Sequence, residues 1–309
     1  MPSPQTAAVF AHLRLIASIT AAGSGGGLAS TRRMTDIFAN VSPDCGRLVT
    51  SVTPGEVAGR PAEWHTTPGA DPNRRLLYLH GGGWLAGSLG SHRSLVSSLT
   101  AATGGVTLAI DYRLAPEHPF PAGLDDCVAA YRWLCEHGPN GAGAAGSTAV
   151  AGDSAGGNLA LATLLSLRDA GGPLPDAAAV LSPVTDLSGE GESHASRKDL
   201  DPIMPAGPRT ALFRAYTGGA AEFSDPRINL LGADLRGLPP LLVQVGDAEV
   251  LRSDSVRLAE RARAAGVDVQ LEVWADMPHV FPLFTHFLPE ADEAIARIAA
   301  FLGEHRRAG

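Results

Sequence analysis

Cysteine is scarce in this chain of 309 residues, and long apolar runs are missing. The three cysteines, Cys45, Cys127 and Cys135, cannot all pair with one another, so a disulfide framework is not expected. Cys127 and Cys135 lie in a helical pattern, which indicates buried thiols. No run of about 18 uncharged apolar residues occurs, and we therefore expect no membrane span.

Basic residues are also few. The chain has 24 Lys and Arg but 32 Asp and Glu, and its net charge is −8. A chain this acidic lacks the positive surface that nucleic-acid binding requires. Residues 1–6 carry no basic side chain, and His12 and Arg14 interrupt the apolar stretch that follows, which is not typical of a signal peptide. We expect a cytoplasmic protein with neither nucleic acid nor a membrane as its partner.

Motifs for metals and nucleotide cofactors are missing too. The sequence has no H-E-x-x-H or C-x-x-C pair and no G-x-x-x-x-G-K-[ST]. No G-x-G-x-x-G follows a strand in the context of a dinucleotide-binding fold. We therefore expect neither a metal site nor a cofactor.

Strand-like and helical patterns alternate from residue 74 onward. The alternation predicts an α/β protein with a mostly parallel sheet and helices on both faces. Pro54-Gly55, which we take as the link between the first two strands, favours an antiparallel pair at one edge. The predicted strands are 47–53, 61–66, 74–80, 105–111, 147–152, 177–182, 240–246 and 268–274. The predicted helices are 5–22, 32–40, 91–102, 123–137, 155–170, 253–265 and 287–303.

Two parts of the chain do not fit this alternation. The N-terminal helices precede it and are separated by a glycine-rich run at 23–27, which predicts a hinge. Residues 185–235 are rich in polar residues and proline, with one helical pattern at 207–217 and no clear strand. We predict that both parts form a cap over the carboxyl edge of the sheet. The catalytic domain would comprise 46–184 and 236–309, and the cap 1–45 and 185–235.

Gly152-Asp153-Ser154-Ala155-Gly156 stands where a predicted strand meets a predicted helix. The G-x-S-x-G pattern is typical of a sharp turn, whose small residues let the serine hydroxyl stand clear of the sheet. The amino end of the following helix carries free N–H groups and partial positive charge, which suits a developing oxyanion. Ser154 is therefore a candidate nucleophile, and the alternative is an ordinary glycine-rich turn.

His80-Gly81-Gly82-Gly83 follows another predicted strand. Three glycines let the backbone approach a ligand closely and aim consecutive N–H groups at one point. Such a loop would donate to an oxyanion together with the N–H of Ala155. A phosphate-cradling loop or a plain turn is the alternative. His80 itself is expected to order the loop through hydrogen bonds.

A serine hydroxyl needs a base, and in sheet hydrolases with such a turn the triad runs Ser, acid, His along the chain. His279 follows the last predicted strand by five residues and is our preferred base, whereas His286 is expected to begin the final helix. Asp247, Glu249 and Asp254 all follow the seventh strand. A carboxylate there would hold the imidazole in the useful tautomer. The residues alone do not separate Asp247 from Glu249.

Taken together, these motifs resemble the hormone-sensitive-lipase-like family of α/β-hydrolases, the bacterial family IV esterases. The resemblance spans about residues 74–303, whereas the N-terminal helices and 185–235 match the family only in position, as its cap. It implies an α/β-hydrolase fold, with a mostly parallel eight-stranded sheet, helices on both faces and a helical cap. The stretches that carry it are LYLHGGGWLAGS, VAGDSAGGNLALA, DYRLAPEHPFPA at 111–122, GLPPLLVQVGDAEVLRSDS at 237–255 and MPHVF at 277–281.

The resemblance also implies roles for single residues. It places the nucleophile on Ser154 and the base on His279. The family's acid usually opens a D-P-L-x-D stretch, and the aligned run here begins at Glu249, which departs from the commoner Asp; Asp247 is the reserve choice. The oxyanion donors that it implies are Gly82, Gly83 and Ala155.

By the same resemblance, the protein is expected to be a serine carboxylesterase that hydrolyses short-chain carboxylic esters through an acyl-enzyme, without a cofactor. A lactone hydrolase or a deacetylase with the same triad is the alternative, and a non-catalytic small-molecule receptor is a remote one. Many family members form homodimers. Candidate substrate-binding residues, for which ordinary core packing is the alternative, are Trp84, Met204, Phe213, Tyr216 and Phe281.

Overall fold

The computed structural model describes residues 2–22, 27–204, 206–219 and 221–307. Residues 23–26 of the predicted hinge lie outside that description. Among the helices that are described, none is both long and apolar enough to cross a membrane.

An eight-stranded sheet lies at the centre of the molecule. Its strands are β1 (Ser51–Val57), β2 (Arg60–Thr66), β3 (Arg74–Leu79), β4 (Val106–Ile110), β7 (Ser147–Asp153), β8 (Ala177–Leu181), β9 (Leu241–Gly246) and β10 (Val269–Trp274), while β5 (His137–Gly138) and β6 (Gly141–Ala142) form a separate short pair. The order across the sheet is β1-β2-β4-β3-β7-β8-β9-β10. Strand β2 runs antiparallel to β1 and β4, and the other neighbours are parallel, so the predicted sheet is confirmed.

Helices cover both faces of the sheet because the side chains of a buried parallel strand alternate between two cores. On β3, Leu77 and Leu79 pack with the helices that follow β4, β7 and β9, whereas Leu76 and Tyr78 pack with the helices that follow β3 and β10. The helices are α1 (Pro4–Ala22), α2 (Gly27–Asp36), α3 (Leu89–Thr103), α4 (Ala122–Glu136), α5 (Ser154–Asp169), α6 (Ser193–Ser196), α7 (Thr210–Thr217), α8 (Arg252–Ala264) and α9 (Pro289–Glu304).

The turn between the first two strands differs from the prediction. Pro54 and Gly55 lie inside β1, and the chain reverses at Ala58 and Gly59, which both have positive φ. A proline is tolerated there because β1 is an edge strand, where not every N–H has to join the ladder. The antiparallel pairing that was inferred from this region is nevertheless present.

Truncating an apolar side chain to alanine in the middle of the sheet should destabilise the fold far more than truncating one on an edge strand. Leu77 is fully buried on β3, and Leu77→Ala should lower the free energy of unfolding by about 2–5 kcal/mol. Val273 on the edge strand β10 is 42% exposed, and Val273→Ala should cost about 0.5 kcal/mol or less. Denaturant unfolding of both variants measures the difference, and equal losses would contradict this packing.

Candidate active site

Ser154 stands at the junction of β7 and α5 with a φ of 51°, in the left-handed region that only a tightly constrained turn imposes on a serine. The turn is pressed against the end of β3. A Cβ added to Gly156 would overlap the carbonyl oxygens of Leu79 and His80. The small residues of the G-x-S-x-G motif therefore let the serine and the glycine loop after β3 lie side by side.

A continuous chain of contacts joins Ser154, His279 and Glu249. The Ser154 Oγ lies 3.0 Å from the His279 Nε2, and the His279 Nδ1 lies 2.7 Å from the Glu249 Oε2. Because an ionised carboxylate only accepts, Nδ1 carries the proton and Nε2 is left to accept from the serine hydroxyl. All three side chains are buried, which strengthens their electrostatic interaction.

The other acidic candidates after β9 have different partners. Asp247 is bound by two guanidinium groups, those of Arg197 at 3.2 Å and Arg252 at 3.1 Å. Asp254 lies 2.8 Å from the guanidinium of Arg257. Of the three carboxylates, the one that contacts the imidazole of the candidate base belongs to Glu249.

Ser182, just after β8, is a member of this network that the sequence reasoning missed. Its Oγ donates to the Glu249 Oε1 at 2.6 Å and accepts from the N–H of Val280 at 3.1 Å. The N–H of Gly246 donates to the same Glu249 oxygen at 2.6 Å. These bonds hold the carboxylate so that Oε2 faces His279. The available signal was a polar residue at the carboxyl end of an apolar strand.

The Glu249 carboxylate also sets the acid–base behaviour of the candidate base. Burial by itself would lower the pKa of His279, but the charge of Glu249 and its hydrogen bond outweigh burial, and the net pKa is raised above its usual value. Asp201 and Asp153 add to the same effect. The imidazole is thus suited to hold a proton once it has taken one from a hydroxyl.

Gly82 and Gly83 of the glycine loop after β3 line the cavity beside Ser154. Gly82 has a φ of 118° and Gly83 of 64°, which residues with a side chain rarely adopt. Neither N–H donates to another described group, whereas the carbonyl of Gly82 accepts from Ala86 at 3.0 Å. Ala155 is in the first turn of α5, where an N–H has no partner within the helix.

His80 lies beneath this loop. Its Nδ1 donates to the carbonyl of Gly81 at 2.8 Å, and its ring stacks on Tyr112 with the centroids 4.3 Å apart. Burial lowers the pKa of His80 to about 4, so the ring is neutral near pH 7. These contacts agree with the expected structural part of His80 in ordering the loop.

Asp153 is a second buried carboxylate, and the sequence alone indicated no role for it. Its Oδ1 accepts from the N–H of Gly81 at 3.0 Å and from the hydroxyl of Tyr78 at 2.8 Å, and it lies 3.2 Å from the Nε2 of His92. Burial by itself would raise the pKa of Asp153, but the charge of His92 and the hydrogen bonds with His92 and Tyr78 outweigh burial, and the net pKa is lowered. Asp153 therefore ties the glycine loop to the residue next to Ser154.

A cavity of about 230 Å³ opens over Ser154 and His279. Of the five residues predicted to line a substrate pocket, Met204 does so here. The full lining is Thr31, Thr35, Phe38, Ala39, Gly82, Gly83, Ser91, His92, Asp153, Ser154, Ile203, Met204, His279, Val280 and Leu283.

The other four predicted pocket residues lie outside this wall because they pack against other aromatic rings. Trp84 stacks on Tyr216 with their centroids 4.4 Å apart. Phe213 packs edge-on against Phe223, and Phe281 packs against Trp274. For Trp84, Phe213, Tyr216 and Phe281, the alternative of ordinary core packing is therefore what the structure supports.

The remaining late histidine, His286, has a different partner. His286 precedes α9 instead of starting it, and its Nε2 lies 3.0 Å from the Ser98 hydroxyl. In the part of the chain that the structure describes, no three of His, Cys, Asp or Glu come together as metal ligands would.

Comparison with known proteins agrees with the geometry. A family model described as the alpha/beta hydrolase fold matches residues 76–283. A solved esterase of the bacterial hormone-sensitive lipase family has a TM-score of 0.90 at 42% identity, over 99% of each chain. The chain belongs to this family.

Two relatives of this hormone-sensitive-lipase-like chain have informative names. The acetyl-hydrolase of Streptomyces hygroscopicus is 43% identical over 273 residues, which are 87% of this chain and 86% of that protein. The carboxylesterase NlhH of Mycobacterium tuberculosis is 37% identical over 232 residues, which are 74% of this chain and 72% of that protein. Both names describe hydrolases.

The acid that serves His279 can be identified from the pH dependence of ester hydrolysis. With His279 as the base, the neutral imidazole would be the active form, so kcat/KM should fall as pH decreases through the raised pKa of His279. Glu249→Gln removes what raises that pKa, so the acidic limb should move to lower pH while kcat drops by about 10²–10⁴-fold. Asp247→Asn is the matched control and should leave the limb in place. A shift in Asp247→Asn instead would contradict the assignment.

Asp153 should affect the rate through the glycine loop. Asp153→Ala removes the closer of two acceptors of the Gly81 N–H, at 3.0 Å, and leaves the Nε2 of His92 at 3.3 Å, so kcat should fall by about 10²-fold with KM little changed. Asp153→Asn keeps an oxygen acceptor and should lose less.

Tyr78→Phe is the control for Asp153, since it removes another bond to the same oxygen without touching the loop. It should lower Tm without a comparable loss of kcat. Steady-state kinetics and thermal unfolding of the three variants test this, and equal kcat losses in Asp153→Ala and Tyr78→Phe would refute it.

Proposed function

We propose that this protein is a serine carboxylesterase that hydrolyses short-chain carboxylic esters through an acyl-enzyme. The observation that carries the proposal is the contact chain from the Ser154 Oγ through His279 to the buried Glu249. A serine hydroxyl becomes a competent nucleophile when a base oriented by a third group can take its proton. Ser154, His279 and Glu249 are the proposed nucleophile, base and acid.

In the first step, the Ser154 Oγ attacks the ester carbonyl and His279 Nε2 accepts the hydroxyl proton. Glu249 stabilises the imidazolium that forms. The same imidazolium then donates its proton to the departing alcohol as the carbon–oxygen bond breaks. In the second step, water attacks the acyl carbon while His279 takes a proton from it. His279 returns this proton to the Ser154 Oγ as the bond between Oγ and the acyl carbon breaks and the carboxylic acid leaves.

The proposed oxyanion donors are the N–H groups of Gly82, Gly83 and Ala155. They support the proposal because the two glycine N–H groups have no other acceptor among the described residues, and because α5 directs the positive end of its dipole toward the turn. Negative charge that develops on the carbonyl oxygen would be stabilised most in such a buried site.

We also propose that the parts outside the alternating region act as a cap. Supporting this, Thr31, Thr35 and Phe38 from the N-terminal part and Ile203 and Met204 from 185–235 line the same cavity as Ser154. A cavity of about 230 Å³ suits a small ester better than a long lipid.

Deacetylation is the second candidate function, because the acetyl-hydrolase of Streptomyces hygroscopicus is 43% identical to this chain. It would use the same three side chains and the same attack on a carbonyl. The cytoplasmic location that we expect from the sequence stays a prediction, and so does the homodimer that the resemblance to the family allows.

A fluorophosphonate probe tests whether Ser154 is a nucleophile. Wild-type protein should be labelled and should hydrolyse p-nitrophenyl acetate. Ser154→Ala should abolish labelling and lower kcat by about 10³-fold or more. Ser196→Ala is the matched control, since this hydroxyl is exposed and lies beside the guanidinium of Arg197, and it should change neither. Absence of labelling in the wild type would favour a non-catalytic receptor.

A further inference from the structure

The loop that carries Glu249 is bonded by two separate parts of the chain. Residues 247–251 join β9 to α8, and we call them the acid loop. Two of its backbone N–H groups donate to the carbonyls of Trp274 at 2.8 Å and Met277 at 3.1 Å, just ahead of the candidate base. Further bonds to the loop come from residues 193–204, which belong to the proposed cap. The loop is therefore held both by the chain that leads to the base and by the cap.

Val250, the residue after Glu249, is bonded by the cap through both of its backbone polar groups. Its N–H donates to the Oδ2 of Asp201 at 3.0 Å, and its carbonyl accepts from the hydroxyl of Ser193 at 2.6 Å. Val250 is fully buried. Loss of either bond would therefore leave a buried backbone group without a partner, which is costly.

The buried side chain of Asp201 also holds the wall of the cavity over Ser154. Its Oδ1 accepts from the N–H groups of Ile203 at 3.0 Å and Met204 at 2.9 Å. Both of these residues line that cavity. An ionised carboxylate only accepts, so three N–H donors suit it well. One side chain thus joins the cavity wall to the acid loop through its two oxygens.

The negative charge of Asp201 acts on two other groups. It contributes to raising the pKa of His279, as described above. It also acts, together with Asp186 and Asp254, on the guanidinium of Arg209. That guanidinium is buried and has no hydrogen-bond partner among the described residues. Asp201 therefore lies within electrostatic range of the candidate base, and a buried cation offsets its charge.

We propose that Asp201 is a positioning residue that holds the acid loop so that the Glu249 carboxylate stays directed at the candidate base. Through its other oxygen, the same side chain ties the cavity wall to that loop. This inference rests on the proposed ester hydrolysis and adds a residue of the proposed cap to its machinery.

Asp201→Asn should break one side of this link. An amide has one accepting oxygen and one donating nitrogen. The oxygen should stay with the two N–H groups of Ile203 and Met204, which sets the donating nitrogen against the N–H of Val250. With p-nitrophenyl acetate, kcat should fall by about tenfold because the acid loop is misplaced, whereas KM should change little because the cavity wall is kept. Asp201→Ala loses both sides, so its KM should rise as well.

The same substitution in a Glu249→Gln background shows whether Asp201 acts through the acid. There it should lower kcat by about twofold or less, because the carboxylate that it positions is already gone. A tenfold loss in both backgrounds would overturn the inference, and so would an unchanged kcat in the single variant Asp201→Asn.

The pH profile gives a second readout, which a loss of stability alone would not move. In Asp201→Asn the acidic limb of kcat/KM should shift to lower pH, because Asp201 and a well-placed Glu249 both raise the pKa of His279. The shift should be smaller than in Glu249→Gln. A limb that stays at the wild-type pH would contradict the positioning role.

Asp186→Asn is the matched control. Asp186 is a buried carboxylate of the same cap whose charge also acts on Arg209, but its described bonds go to Ser188 and to the guanidinium of Arg257 at 2.7 Å. The substitution should lower Tm and leave kcat and the acidic limb in place. Changes in kcat and in the limb equal to those of Asp201→Asn would show a general effect of cap charge and refute the inference.

Fluorophosphonate labelling keeps folding apart from positioning, because kcat is expressed per labelled serine. If Asp201→Asn yields no labelled protein, Ser193→Ala is the milder variant, since it removes the other cap bond of Val250. It should lower kcat by about threefold in the wild-type background and leave kcat of Glu249→Gln unchanged. An equal loss in both backgrounds would refute positioning of the acid loop by the cap, and with it the role of Asp201.

Labelling of the wild type separates this inference from the proposed function. A wild type that is labelled and cleaves p-nitrophenyl acetate, but whose Asp201 and Glu249 variants lose activity independently, would refute the positioning role and leave the esterase proposal intact. A wild type that is neither labelled nor active would overturn the proposed function and this inference together.

Discussion

Direct backbone contact between the first turn of α5 and the end of β3 is the constraint on which the site depends. Any side chain at Gly156 would collide with the carbonyls of Leu79 and His80. Since β3 and β7 are parallel neighbours, this contact sets the glycine loop and the strained serine turn beside each other at one edge of the sheet. The glycine loop and the serine turn, which are the two most distinctive motifs of the sequence, therefore lie next to each other because of this one backbone contact.

The two buried carboxylates of the site contact different histidines. Glu249 contacts His279, and its other oxygen is held by Ser182 and by a backbone N–H. Asp153 lies against His92, and the rest of its hydrogen bonding goes to the glycine loop. One carboxylate thus contacts the proposed base, and the other binds the backbone of the glycine loop.

Much of this could be predicted from the sequence, and the failures have physical causes. Periodicity located the strands, because buried parallel strands read as short apolar runs between helices. The acid could not be decided from the residues alone, since Asp247 and Glu249 are two apart and only the folded loop directs one toward the imidazole. Trp84 and Tyr216 were misplaced because large aromatic side chains satisfy a core as well as a pocket, and in this protein they stack on each other. Pro54 gave a misleading turn signal because an edge strand tolerates proline.

The walls of the cavity come from two sources with different constraints. The proposed nucleophile, acid and base follow strands of the sheet, whereas Thr35, Ile203 and Met204 line the cavity from segments outside it. Mutations at these three positions can alter which molecules enter without replacing any of the three proposed reactive side chains. Proteins with this architecture can thus evolve to accept new substrates through substitutions at a few positions in the cavity wall. A mutant library limited to those positions would vary substrate selectivity and retain turnover.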